Sequence, residues 1–199
     1  VEGSAARYSK PAFTADSPMP VFYAAETYFL KAEAALQGWI AGGDAAAKSY
    51  YEQGIQMSMS QYGVEIGDYL SSTVVPQGYT DRLNSKNNIS FTSVPSVAWG
   101  DGTNKLQKII TQKWIANYPM GIEAWCDYRR TGYPELFTAR DNLSSAGYIG
   151  DIDSKRMVRR LPYPTTEKSS NSANVEAAIA TMLGGPDTGS TDLWWAKKN

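Results

Sequence analysis

Apolar residues recur at Phe22, Ala25, Phe29, Ala32, Leu36 and Trp39, in alternating steps of three and four. That spacing lines one face of an α-helix, whereas a strand would need steps of two. The stretch "GWIAGGD" follows directly, offering a glycine stop and then Asp44 as the cap of a second helix. Tyr51, Gly54, Ile55, Ser58, Met59 and Tyr62 continue at helical spacing beyond it. A connection this short permits only antiparallel packing, so the chain is expected to begin its fold with a helical hairpin.

The hairpin carries a pattern of small residues. Ala35, Ala47, Tyr51 and Gly54 are separated by 12, 4 and 3 residues, as tetratricopeptide repeats arrange their small, small, aromatic and small sites. No convincing second copy follows. Periodicity returns at Leu106, Ile110, Lys113, Trp114 and Tyr118 and stops at Pro119. A second short helix follows, with Ile122, Trp125, Cys126 and Arg129, closing at Gly132 before Pro134. Residues 1–19 and "RRLPYPTTEKSSN" read as extended, and a last helix is expected from about Val175 to Leu183. Between the helical parts, residues 73–102 form a long polar interruption, of the kind that in compact domains is usually functional or poorly ordered. The predicted fold class is all-α, mainly helical, with tetratricopeptide-like hairpins and long loop insertions.

Composition narrows the chemistry. With 42% hydrophobic residues, a chain of 199 can bury a core. It contains no His, which removes Ser-His-Asp and Cys-His nucleophile pairs, His-ligated zinc and the usual neutral-pH proton shuttle. Its single Cys, Cys126, can form neither an internal disulfide nor a Cys-x-x-Cys metal knuckle. A formal net charge of -1 argues against nucleic acid, because phosphate binding needs concentrated positive charge. No apolar run approaches the roughly 20 residues of a membrane helix. The start "VEGSAARYSK" has no initiator Met, signal-peptide core or lipid-attachment Cys, and so reads as cut from something longer.

Four blocks stand in order: "YAAETYFLKAEAALQGW", "AAKSYYEQGIQMSMSQYGV", "KIITQKWIANYPMGIEAWCDYRRTGYP" and "RRLPYPTTEKSSN" with a terminal "LWW". Together they resemble the C-terminal part of SusD/RagB-like proteins, over nearly the whole chain. The resemblance implies a single SusD-like helical domain of which residues 1–199 are the C-terminal part, with a loop insertion at about 73–102. It also implies a non-catalytic protein, lipid-anchored at the outer-membrane surface, that captures glycans, or in some members peptides, for import through a TonB-dependent transporter. The lipid anchor would lie outside this chain. A tetratricopeptide-like protein-interaction scaffold is the alternative, and a carboxylate-pair hydrolase is the third.

The aromatic and ionic stretch at residues 113–136 reads as scaffold: Trp125, Cys126 and Arg129 share a face expected to pack on Trp114, with Arg129 or Arg130 pairing Glu123, Asp127 or a helix C-terminus. Cys126 is expected to be a small buried hydrophobe. Glu26 and Glu33, two turns apart on one convex helix, are expected to be solvated or to partner Lys31 or Arg residues. Asp151 and Asp153 hint at a calcium loop, but Lys155 occupies the third-ligand position, so no metal is assigned, and no cofactor motif is found. Ligand contacts are sought in the interruption, at Tyr79, Arg82, Asn84 and Trp99, with Asn87 and Asn88 beside them. Aromatic faces suit the C–H faces of sugars, and amide and guanidinium groups suit their hydroxyls.

Overall fold

A computed structural model of the chain describes residues 11–138, 142–144, 150 and 152–196. Residues 1–10, Asp151 and residues 197–199 fall outside that set, and with them part of the expected extended start and half of the Asp151/Asp153 pair. The helices are α1 (Ala24–Leu36), α2 (Gly43–Gln61), α3 (Lys105–Ala116), α4 (Gly121–Thr131), α5 (Thr165–Ser170) and α6 (Ser172–Ala178), the last running into a π-turn at Ile179–Leu183. Among the described residues there is no strand, only one isolated antiparallel bridge between Tyr79 and Ile89. None of the described helices is long and apolar enough to cross a membrane.

The expected hairpin forms. α1 and α2 pack along their length, with Ala25, Phe29, Ala32 and Ala35 of α1 and Ala47, Tyr51 and Ile55 of α2 in one core cluster. Small residues let the backbones approach. At Gly54 a Cβ would lie 2.9 Å from the Phe29 ring, so the aromatic occupies the space of the missing side chain. The apolar stripe is shorter than its spacing suggests. Phe22 precedes the first helical residue and Trp39 lies past the turn in which Gly38 bonds back to Ala35, so both are exposed. Asp44 does not cap α2; Gly42 holds the N-cap position, and the Asp44 carboxylate instead accepts from Lys105 and from the Trp99 indole at 3.4 Å.

α3 lies across this hairpin and is buried on nearly every side. Its Asn104 cap accepts from the Gln107 amide at 3.1 Å. A helix buried all round must find partners for its polar side chains, because each unpaired buried polar group costs about 1–3 kcal/mol. Lys108 does so by donating to the Ser96 carbonyl at 2.6 Å and to Asp101 at 2.8 Å, fastening the end of the interruption to the core. Lys113 reaches Glu26 at 3.1 Å and Asp127 at 2.8 Å, and Arg130 bridges Asp127 and Glu33. Of the two alternatives for Glu26 and Glu33, solvation is corrected, since both are buried. Pairing with an Arg holds for Glu33, which meets Arg130; Glu26 takes Lys113 instead, and together they tie α1 to α3 and α4. Desolvated charges persist only when paired in this way.

α4 ends at Gly132, whose φ of 80° is one that side-chain-bearing residues seldom adopt. Two expectations for this helix fail. Trp114, 41% exposed, does not pack under Trp125, whose indole donates to the Val158 carbonyl at 2.7 Å instead. Cys126 is exposed, facing away from that contact. The later segment is not wholly extended either, since "TTEKSS" forms α5. Asp187 holds this part together, accepting from Arg160, from Lys168 at 2.7 Å and from the Tyr163 amide at 3.1 Å.

Candidate functional site

The interruption folds back on itself and onto the scaffold. The Ile89 amide donates to the Tyr79 carbonyl at 2.9 Å, closing a hairpin-like loop. Inside it Asp81 accepts from the Leu83 and Asn84 amides at 2.7 and 3.1 Å and from the Asn87 side chain at 2.8 Å. The hydrogen bond from Asn87 and those from the Leu83 and Asn84 amides hold the Asp81 carboxyl below its ordinary range. Asn88 accepts from the Asp81 amide, and Asn84 from the Lys86 amide. These amides and carboxylates fold the loop rather than standing free.

Beyond the tip, Glu135 anchors the returning strand of chain. One of its oxygens accepts from the Thr92 amide and hydroxyl at 2.8 and 2.9 Å, the other from the Ser93 amide and hydroxyl at 2.8 and 3.2 Å. Burial alone would raise the Glu135 pKa, but these hydrogen bonds outweigh it and hold the carboxyl below its ordinary value. Between this anchor and the scaffold lies a cavity of about 430 Å³, lined by Ser90, Thr92, Ser93, Gln107, Tyr128, Gly132, Tyr133, Glu135, Leu136, Thr138 and Lys155. Hydroxyls and amides dominate its wall. Close by in the chain, Phe91 and Phe137 stack with centroids 4.8 Å apart, and Tyr79 tilts against Phe137 at 6.2 Å. A second, apolar cavity of about 210 Å³ shares Glu135 and Leu136 and runs past Phe91 and Phe137 to Trp114.

The residues singled out from sequence are dispersed. Tyr79 packs on the Phe91–Phe137 pair, half-buried. Arg82 and Asn84 sit exposed at the loop tip. Trp99 is 6% exposed, its ring 5.1 Å from that of Tyr51 in the hairpin core, so it offers no face to a ligand. It secures the base of the loop, aided by the Tyr51 hydroxyl donating to the Val97 carbonyl at 2.9 Å. Phe91, Phe137, Tyr133 and Glu135 escaped sequence reasoning. "GYPELF" was visible as a break after α4, but its meeting with "FTS" some 40 residues earlier carries no local periodicity.

As chemistry, the wall of the larger cavity offers hydroxyl and amide groups for hydrogen bonds to a ligand. Glycosidases pair two carboxyl groups, one kept protonated as an acid. Among the described residues lining the cavity Glu135 is the one carboxylate, and its hydrogen bonds hold it below its ordinary pKa. Among the described residues no group of His, Cys, Asp and Glu is placed to hold a metal.

Against known proteins, residues 2–196 match the family model SusD-like, described as "Susd and RagB outer membrane lipoprotein". A SusD homolog from Bacteroides uniformis is 41% identical with a TM-score of 0.81, over 96% of this chain and 40% of that one. A chitin-binding SusD homolog from Flavobacterium johnsoniae is 44% identical with a TM-score of 0.75, over 88% of this chain and 36% of that one. A SusD-like protein from Bacteroides thetaiotaomicron is 42% identical with a TM-score of 0.78, over 92% and 38%. The chain thus spans roughly two-fifths of the length of such relatives. No curated protein matches.

Proposed function

Because the chain belongs to the SusD/RagB family of outer-membrane lipoproteins, we propose that it is part of a cell-surface binding protein that captures glycans without cleaving them. It would hand them to a TonB-dependent transporter for import. Residues 1–199 are then the C-terminal part of one SusD-like domain, with the loop insertion at about 73–102 contributing to the ligand site.

The observation that carries this reading is the cavity under that loop, a wall of Ser, Thr, Gln and Tyr side chains that shares Glu135 and Leu136 with the apolar cavity lined by Phe91 and Phe137, on which Tyr79 packs. Sugars present both alternating hydroxyls and apolar C–H faces, and this wall offers counterparts to each. Tyr79 takes the stacking role, Arg82 and Asn84 contact longer chains from the tip, and Trp99 positions the loop from within. The chitin-binding relative is consistent with a glycan ligand.

Isothermal titration against neutral oligosaccharides and peptides, with parallel assay for released product, tests the reading. Saturable binding of an oligosaccharide without product is expected, weakened at least tenfold by Phe137→Ala or Tyr133→Phe. Peptide binding instead would move the ligand class. Binding of a protein partner that survives deletion of the loop tip would favour the interaction-scaffold alternative, whose support is the α1–α2 hairpin.

A further inference from the structure

Behind Tyr128 and Gly132, which line both spaces, a second cavity of about 450 Å³ opens between α4, residues 156–160 and the C-terminal turn. Its chemistry is different. Among the described residues, Arg129, Arg156 and Arg159 line it with a single carboxylate, Asp192, so positive charge is in excess in that set. Arg159 is committed: it donates to Asp192 at 2.8 Å and to the Arg129 carbonyl at 2.7 Å, which also answers the negative end of α4. Arg156 shares Asp192.

Arg129 is not committed. Its guanidinium lies 4.3 Å from the Trp125 ring centre and 5.9 Å from that of Trp195, held by two aromatic faces. No carboxylate among the described residues pairs with it, and its Nε is buried with no acceptor. A guanidinium fixed by stacking, with donors unspent at a cavity wall, is a ready fork for a carboxylate or sulfate oxygen pair. Trp195, 51% exposed beside it, offers a flat face for the ring that would carry such a group.

We propose that this cavity is an anion subsite, in which Arg129 and Arg156 bind the carboxylate or sulfate of an acidic sugar while Trp195 takes its ring. The ligand class of the capture reading is then an acidic glycan, and this inference rests on that reading. Asp192 limits the subsite, since it competes with the ligand for Arg156.

Isothermal titration at low salt tests it with three probes of matched length: a uronic acid oligosaccharide, a neutral oligosaccharide and its sulfated form. At least one acidic probe is expected to bind tenfold or more tighter than the neutral one, and to weaken as salt is added. Whichever acidic probe prevails identifies the anion. Arg129→Met and the exposed-side Arg156→Gln should each abolish that preference while neutral binding persists. Asp192→Asn should strengthen acidic binding, an opposite sign that a merely structural role would not produce, and it serves as well if Arg129→Met fails to fold. Equal binding of all probes, or acidic preference unchanged in Arg156→Gln and Asp192→Asn, overturns the subsite and leaves glycan capture standing. No binding of any probe overturns both.

Discussion

Gly54 leaves room for Phe29, whose ring would stand 2.9 Å from any Cβ placed there. In an exposed helix, alanine would gain up to about 1 kcal/mol over glycine. Here the clash reverses the sign, because Phe29 and Tyr51 are each 1% exposed and have nowhere to move. Gly54→Ala is expected to cost roughly 1–3 kcal/mol, read as a lower urea midpoint, and Phe29→Leu in the same chain should recover part of it. Such residues were legible in the sequence, since Ala35, Ala47, Tyr51 and Gly54 announce close packing by spacing alone. Trp99 and Cys126 were not. An isolated Trp in a polar stretch gives no periodicity to place it, and a Cys between Trp125 and Asp127 depends on which few degrees of helix face the partner occupies.

At the scale of elements, the loop at residues 78–93 is fastened to the segment after α4 chiefly through one carboxylate. Glu135 has a depressed pKa in the folded chain, so it binds fewer protons folded than unfolded over the window between the two values. Its contribution is complete above the ordinary value of 4.5 and is lost as pH falls through the lower folded value. Loop detachment on acidification is therefore expected ahead of melting of α1 and α2. Proteolysis within residues 78–93 between neutral pH and about pH 3 would measure it. Glu135→Gln, which keeps one acceptor oxygen of two, should bring the same susceptibility to neutral pH; equal resistance to wild type would show that the aromatic stack suffices. The helices themselves were legible from 3.6-residue periodicity. The fastening was not, because Thr92 and Ser93 look like any polar turn until Glu135 is brought to them.

Across the whole molecule, Glu26 and Glu33 of α1, Lys113 of α3, and Asp127 and Arg130 of α4 form one connected set of charges. Lys113, with 4% of its side chain exposed, stands between two carboxylates that have almost no access to water. Lys113→Met fills the space but strands both, at a cost of about 3–5 kcal/mol, a large share of the 5–15 kcal/mol typical of a domain. A fall of that size in urea unfolding, partly reversed by adding Glu26→Gln, is the expected outcome. The sequence showed each of these residues but not the set, since Arg130 meets Glu33 across 97 positions. For anyone recombining parts of related chains, this set behaves as a two-piece lock. α1 carries acids whose counterions arrive only with α3 and α4, so a chimera exchanging the first helix alone should misassemble, whereas one that transplants all three together keeps its key.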